Sequence, residues 1–141
     1  MLRVSASIGL SPIHGYGCFT KEPIAKGQLV WALDETVDIW VADADVASLP
    51  APARAFLDMY GYATLRNGQR GLVLCGDHAK HMNHADQPNL AAGEGPGYTN
   101  VAARDIAAGG GLTCNYHDFY PDAGHKLGRE PAPGGPRAGL C

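Results

Sequence analysis

The segment at residues 77–90 holds the densest group of polar, chemically versatile side chains in the chain. Its histidines and asparagines are His78, His81, Asn83, His84 and Asn89. Its apolar residues follow neither the alternation of a strand nor the three-to-four spacing of a helix, so we expect an irregular segment. Amides and imidazoles in such a segment bind the polar edges of a ligand, or they face solvent in a loop. The segment therefore predicts either a ligand site or a solvated loop.

Zinc is another interpretation of these histidines, because Cys75, Asp77 and Asp86 lie close to them in the sequence and offer zinc ligands. However, the usual Cys-x-x-Cys pair is absent from the sequence, and a spacing of three brings ligands together only on a continuous helix. Pro88 and the low helix propensity of Asn83 and Asp86 disfavour that helix. We therefore expect no metal site and keep zinc as an alternative.

Length and charge limit the classes of function. With 141 residues, of which 45% are hydrophobic, the chain can fold as one domain around one core. Its formal net charge of -3 and its lack of a Lys/Arg block disfavour a nucleic-acid surface. No apolar run approaches the roughly 20 residues that span a bilayer, and the first residues lack a signal-peptide core. We therefore expect a cytoplasmic protein without membrane contact, whose partner is a small molecule or another protein.

The cysteines give no sign of pairing. They are Cys18, Cys75, Cys114 and Cys141. Most of them lie beside apolar or aromatic residues, where a thiol behaves as a small hydrophobic group. We expect these thiols to be reduced.

Short strands dominate the predicted secondary structure. They are expected at residues 2–8, 28–33, 37–41, 62–65, 71–74, 98–103 and 112–116. One substantial helix is expected at residues 49–60, because prolines suit its first turn and apolar residues then recur on one face. Asn67 and Gly68 predict a tight hairpin turn between two of the strands. The pattern indicates a mainly β domain.

Three separated segments, taken together, resemble the SET-domain protein lysine methyltransferases. They read His-Gly-Tyr-Gly-Cys-Phe at 14–19, Asn-His-Ala-Asp-Gln-Pro-Asn at 83–89, and Arg-Asp-Ile at 104–106 leading to Leu-Thr-Cys-Asn-Tyr at 112–116. Their order and approximate spacing are those of the family, and the likeness extends over most of the chain. The first motif is weak alone, whereas the combination is specific.

This resemblance implies a mainly β fold, the SET β-clip, with small curled sheets, one substantial helix and a C-terminal pseudoknot. The SET domain would occupy residues 1–127. Residues 128–141 form a Gly/Pro-rich tail that has too little apolar content to fold alone, and we expect it to be flexible.

The resemblance also implies a reaction, the transfer of a methyl group from S-adenosylmethionine to the side-chain amine of a lysine in a protein substrate. The cofactor would be held by the backbone of Gly15, Tyr16 and Gly17, by the side chain of Asn83 and by the backbone of His84. Tyr116 would be the catalytic residue, placed where the lysine channel meets the cofactor.

The walls of the lysine channel are less clearly marked in the sequence. Tyr62, and next to it Tyr60, resemble the segment that supplies a channel tyrosine in the family. Phe119 and Tyr120 could close the channel, cover the adenine of the cofactor, or only pack. Trp31 and Trp40 fit equally well in the core or on a surface that faces the substrate.

The chain departs from the family pattern at several positions. Lys80-His81-Met82 and Ala85-Asp86 flank Asn-His where Arg-Phe and Ser-Cys are common, and Gly110-Gly111 replaces an acidic pair. Cys141 is the only cysteine beyond Cys114, so we expect no cysteine-rich zinc module of the kind that often follows the last tyrosine in the family. A catalytically weak or inactive SET-like module that serves in protein binding or regulation is therefore the alternative.

Overall fold

A computed structural model describes residues 1–94 and 98–118 of the chain. The described strands are β1 (Ala6–Leu10), β2 (Tyr16–Thr20), β3 (Leu29–Ala32), β4 (Ile39–Ala42), β5 (Tyr62–Arg66), β6 (Gln69–Leu74), β7 (Asn83–His84), β8 (Leu90–Ala92), β9 (Thr99–Ala102) and β10 (Thr113–Cys114). The helices are α1 (Asp43–Ser48) and α2 (Ala51–Tyr60), with short 3-10 helices at His78–His81 and Tyr116–Asp118. The predicted mainly β composition is confirmed.

The strands form small, separate sheets. β1 pairs with β2, β9 lies between β3 and β8, and β6 lies between β4 and β5, all of them antiparallel. β10 pairs with β7 in parallel, with Thr113 opposite Asn83 and Cys114 opposite His84. This last pairing returns the end of the described chain to the middle of the sequence, as the expected pseudoknot requires. The passage of the chain through a closed loop stays a prediction.

The β5–β6 hairpin forms as the Asn-Gly pair predicts. Asn67 has φ 52° and Gly68 has φ 76°, the left-handed values that a two-residue hairpin turn of this type needs. The register runs from Arg66 opposite Gln69 to Tyr62 opposite Val73. The hairpin therefore fixes Tyr62, the first residue of β5, opposite Val73 of β6, the strand that leads into residues 77–90.

α2 is the expected helix, and it begins at Ala51 rather than at residue 49 because Pro50 serves as its N-cap. Only Leu57 of this helix is buried. α1 is not predicted by the sequence, since none of its residues is buried and it shows no apolar stripe. None of the described helices is long and apolar enough to cross a membrane.

Several sequence-based expectations of secondary structure are wrong: β2 and β8 were not predicted, and the last predicted strand, residues 112–116, is reduced to β10. β1 covers Ala6–Leu10, while Leu2 makes a separate bridge to Trp31, so residues 2–8 are not one strand. Residues 77–90 are also more regular than expected, because they contain a 3-10 helix and the strand β7. The Asp77 side chain caps that 3-10 helix by accepting a hydrogen bond from the Ala79 N–H at 2.9 Å, and β7 exists only through its pairing with β10.

The core encloses a large aromatic side chain and several buried thiols. Trp31 is 2% exposed and is surrounded by buried aliphatic residues that include Ile24, Val30, Leu90 and Leu112. Cys18, Cys75 and Cys114 belong to the same cluster and are free thiols, as expected. Cys141 lies outside the described residues.

Asn89 joins the two halves of the β7–β10 crossing through its side chain. Its Nδ2 donates to the Gly111 carbonyl at 2.8 Å, and its Oδ1 accepts from the Thr113 N–H at 2.9 Å and from the Thr113 hydroxyl at 3.2 Å. Arg104 reinforces the same region by donating to the Pro88 carbonyl at 2.9 Å. Because a two-residue parallel pairing has few bonds of its own, these side-chain bonds hold the crossing together.

Replacing Asn89 with alanine should lower the free energy of unfolding by about 2–3 kcal/mol, because it leaves partly buried backbone groups of Gly111 and Thr113 without their partners. Urea unfolding monitored by tryptophan fluorescence measures the change. Gln87→Ala, at an exposed position two residues away, is the matched control and should change stability by less than about 0.5 kcal/mol. Equal stability of the two variants would contradict the role given to Asn89.

Candidate active site

Two cavities share a wall that contains Tyr116. The larger, called the cleft here, has a volume of about 920 Å³ and is lined by residues 13–16, one side of α2 and residues 80–86. The smaller, called the channel, has a volume of about 70 Å³ and lies between residues 59–62, Trp31, Tyr98 and the thiols of Cys75 and Cys114. Met59, Tyr60, Lys80, Met82 and Tyr116 line both. The cleft and the channel therefore adjoin at these five residues, Tyr116 among them.

Most of the residues that the sequence assigned to the cofactor lie along the cleft. Gly15, Tyr16, Asn83 and His84 all line it. Gly15 has φ +50° and no atom within 4 Å of the position a Cβ would take, so the turn presents bare backbone. Gly17 does not line the cleft; it lies in β2, where a Cβ would come within 3.1 Å of the Phe19 ring.

Asn83 ties the turn before β2 to the centre of the molecule. Its Nδ2 donates to the Ser11 hydroxyl and to the Tyr16 carbonyl, each at 3.0 Å. The two halves of the cleft, which are far apart in sequence, are thus joined by one amide. The tyrosine ring adds an edge contact with His81, at 6.4 Å between ring centroids.

His84 connects the cleft to Tyr116. Its Nδ1 accepts a hydrogen bond from the Tyr116 N–H at 3.1 Å, and its Nε2 lies 3.1 Å from Oδ1 of Asp86. Since Nδ1 is the acceptor, the proton of a neutral ring is on Nε2 and donates to Asp86. The histidine side chain is only 9% exposed and holds the Tyr116 backbone, and the residue also lines the cleft.

The Tyr116 hydroxyl is a hydrogen-bond donor at the junction of the two cavities. It donates to the Met82 carbonyl at 2.8 Å. Burial raises the pKa of this phenol above its usual range, and the neighbouring Cys114 raises it further. A phenol that stays protonated can orient a ligand, but it is a poor base for removing a proton.

Three aromatic rings form the inner part of the channel. Trp31 contacts Tyr62 and Tyr98 edge-on, with centroid distances of 6.1 and 5.9 Å, and the two tyrosines stack at 5.5 Å. Burial raises the pKa of both tyrosine hydroxyls. Such a lining suits a long apolar side chain that ends in a polar group.

The sequence identified only part of this lining. Tyr62 and Tyr60 line the channel as expected, and Trp31 belongs both to the core and to the channel wall. Tyr98 was missed as a site residue, because no motif marks it and its place depends on the pairing of β9 with β3. Trp40 is partly buried on β4 and lines neither cavity. Phe119 and Tyr120 lie outside the described residues.

Zinc finds no support in the geometry of the histidines. Within residues 1–94 and 98–118, no group of three or more His, Cys, Asp or Glu side chains is arranged to hold a metal ion. His84 instead bonds with Tyr116 and Asp86, and His81 packs edge-on against Tyr60 with centroids 5.3 Å apart.

A model of the SET domain matches residues 15–117. The chain belongs to the SET-domain family. The match includes both sides of the cleft and ends one residue after Tyr116. No match was found among curated protein sequences.

Solved structures support the same fold. Chaetomium thermophilum Polycomb Repressive Complex 2, in an autoinhibited conformation bound to S-adenosylmethionine, matches 88% of this chain at 21% identity and a TM-score of 0.64. The chain spans only 16% of that much longer protein. A putative histone methyltransferase of Plasmodium falciparum matches 82% of this chain at 19% identity and a TM-score of 0.56, over 95% of its own length. The SET fold is therefore shared with a protein of similar extent as well as with a domain of a large complex.

Buried thiols of the SET domain should make its stability fall at high pH. Burial raises the pKa of Cys18, Cys75 and Cys114 from 9.0 to about 12. The unfolded chain loses these protons from about pH 9 and the native protein only near pH 12, so the stabilisation is complete below pH 9 and is lost as the pH rises towards 12. Urea unfolding at pH 7.5 and pH 10 should differ by roughly 1 kcal/mol per buried thiol.

Alkylation gives an independent check on the same thiols. With iodoacetamide at pH 7.5, peptide mapping should find Cys18, Cys75 and Cys114 unmodified in the native protein and modified after unfolding in urea. Cys141 is quantified separately, because it lies outside the described residues. Rapid native labelling of any of the other three would contradict the burial described.

Proposed function

We propose that this SET domain transfers a methyl group from S-adenosylmethionine to the side-chain amine of a lysine in a protein substrate. The observation that carries the proposal is the position of Tyr116, at the wall shared by a large cleft and a narrow aromatic channel. The volumes of the two cavities suit a nucleotide-sized ligand on one side and a single extended side chain on the other.

The cleft has the chemistry that S-adenosylmethionine requires. Backbone groups of Gly15, Tyr16 and His84 and the amide of Asn83 would hold its polar edges, and the carboxylates of Asp58 and Asp86 lining the same cleft suit its positive charge. When bound, the cofactor supplies a methyl group to a neutral amine, whose lone pair forms the N–C bond while the C–S bond breaks and its electron pair stays on sulfur.

The residues of this chain contribute alignment rather than acid–base chemistry. The aromatic rings of Trp31, Tyr62 and Tyr98 would enclose the stem of a lysine side chain. The Tyr116 hydroxyl, held by the Met82 carbonyl and by the backbone bond to His84, would orient the amine. In-line displacement depends on such positioning, which is worth several powers of ten in rate.

The comparisons support the same class of reaction without defining the substrate. One neighbour is described as bound to S-adenosylmethionine and another as a putative histone methyltransferase. We extend both properties to this chain as part of the proposal. A net charge of -3 is compatible with a basic, lysine-bearing protein partner, and a cytoplasmic location stays part of the proposal.

An inactive SET-like module is the alternative, and the Gly110-Gly111 departure is one of the sequence features that suggest it. The turn is nevertheless well held. The Gly110 carbonyl accepts from the Thr20 N–H, the Gly110 N–H donates to Ala107, and the Gly111 carbonyl accepts from Asn89. Added flexibility at this turn is therefore a weak argument against activity.

Cofactor binding distinguishes the two functions. Calorimetric titration with S-adenosylmethionine should show one site, and Asn83→Ala should weaken binding about tenfold or more because the cleft loses the amide that joins its two sides. Gln69→Ala, at an exposed position on β6, is the matched control and should bind like the original protein. No heat of binding at millimolar cofactor would rule out the enzyme.

Tyr116→Phe should lower methyl transfer about a hundredfold while cofactor binding stays within a factor of three, because only the orienting hydroxyl is removed. Transfer of tritiated methyl groups to a peptide library with a fixed central lysine measures activity, and calorimetry measures binding. Thermal unfolding of both proteins reports any structural damage. Full activity in the variant would exclude an orienting role for this hydroxyl.

A further inference from the structure

The strand β1 lies at an open edge of its sheet. It pairs with β2, and the sheet contains only these two strands. The other edge of β2 is covered, because the Leu112 N–H donates to the Cys18 carbonyl at 2.8 Å and Phe19 forms an isolated bridge with Gly111. Within the described residues, no strand or isolated bridge lies along the outer edge of β1.

The hydrogen-bond pattern of the hairpin shows which backbone groups of β1 point outwards. The Ser11 N–H donates to the Gly15 carbonyl at 2.8 Å, in the register that the whole hairpin follows. In an antiparallel pair, the backbone groups of alternate residues face the partner strand, and those of the residues between them face away. The backbone groups that face away from β2 therefore belong to Ala6, Ile8 and Leu10.

The side chains of the same strand form an exposed apolar face. Ile8 lies opposite Cys18 and Leu10 lies opposite Tyr16, so these four side chains share one face of the hairpin. Cys18 is buried, whereas Leu10 is 80% exposed and Tyr16 is 56% exposed. The face that enters the core at one end of the hairpin thus leaves it at the other, where Ile13 of the turn is also exposed.

β1 lacks the features that usually protect an exposed edge. Its sequence, Ala-Ser-Ile-Gly-Leu, contains no charged residue and no proline, and its register with β2 is continuous. Natural edge strands commonly carry lysine, proline or a bulge, because unpaired N–H and C=O groups readily bind another strand. The open backbone groups and the apolar side chains together fit an extended strand as the partner.

The same strand from a second copy of the chain fits this edge. A two-fold axis through Ile8 places Ile8 opposite its own equivalent and Ala6 opposite Leu10 of the second copy. All the outward backbone groups are then matched, because each of these pairs exchanges both of its N–H···O=C bonds. Since β1 carries no charge, the pairing brings no like charges opposite each other within the strand.

We propose that two copies of this chain associate through antiparallel pairing of their β1 strands, centred on Ile8. The pairing joins the two hairpins into one continuous sheet in the order β2-β1-β1-β2 and covers Leu10 in each copy. The contact involves one strand of 5 residues and a few side chains. Such an interface is small, below about 1,200 Å² in total, so the dimer should be weak, with a Kd of about 100 µM. The inference does not depend on methyl transfer.

Sedimentation velocity of the full chain, from about 10 µM to about 1 mM, tests the association. The original protein should change from monomer to dimer across this range. Ile8→Asp and Ile8→Lys should each remain monomeric, because each places two like charges opposite each other at the two-fold axis. An equimolar mixture of the two variants should form dimers again, because opposite charges then meet. Only an axis close to residue 8 predicts this rescue.

Hydrogen–deuterium exchange at residue resolution locates the contact. The Ile8 and Leu10 amides should exchange several-fold more slowly at about 1 mM protein than at about 10 µM, because they are protected only in the dimer. The Ser7 and Gly9 amides face β2 and are the internal reference, since their protection should be the same at both concentrations.

Two further substitutions complete the test. Ile39→Asp, at another exposed apolar position, on β4, is the matched control and should associate like the original protein. Leu10→Asp changes a more exposed side chain than Ile8 and should weaken the dimer about tenfold, which keeps the test decisive if a variant at Ile8 does not fold. Thermal unfolding establishes which variants are folded.

Two results would overturn the proposal. The first is a monomer at every concentration, and slow exchange of the Ile8 and Leu10 amides in that monomer would mean that the edge is covered within one copy. The second is a dimer that survives in Ile8→Asp and Leu10→Asp, which would require another surface for the contact. Failure of the mixed Ile8 variants to associate would exclude the two-fold axis at this residue.

Discussion

The parallel pairing of β7 with β10 is the contact on which the site depends. It brings residues 83 and 84 beside residues 113 and 114, although they are separated by two other strands in the sequence. So short a pairing cannot order these segments alone, since closing the intervening loop has an entropic cost that few backbone bonds offset. Side chains supply further hydrogen bonds to the returning segment. Asn89 donates to the Gly111 carbonyl and accepts from the Thr113 N–H, and His84 accepts from the Tyr116 N–H.

The two cavities follow from this crossing. Met82 precedes β7, and its carbonyl accepts a hydrogen bond from the Tyr116 hydroxyl. Tyr116 is therefore held at its side chain by Met82 and at its backbone N–H by His84 of β7. Asn83, next in sequence, holds the turn before β2 and with it the far side of the cleft. The same few residues therefore hold Tyr116 where the large cleft and the narrow channel adjoin.

Local features were predictable from the sequence, and features that depend on distant pairing were not. The Asn67-Gly68 turn and the apolar face of α2 lie within short windows, and both appear as expected. β7 and the channel position of Tyr98 arise from contacts with β10 and β3, which no local pattern encodes. The resemblance of three separated motifs supplied the cleft residues, while the open edge of β1 depends on which strands pair and was not predicted.

The weak anchoring of α2 has a consequence for how the two cavities respond to ligands. The helix buries only Leu57, yet Met59 and Tyr60 at its end line both the cleft and the channel. A ligand that shifts this end of the helix must therefore reshape both volumes at once. Thermodynamic linkage makes the effect reciprocal. If a ligand in the cleft changes the affinity of the channel for its ligand by some factor, a ligand in the channel changes the affinity of the cleft by the same factor.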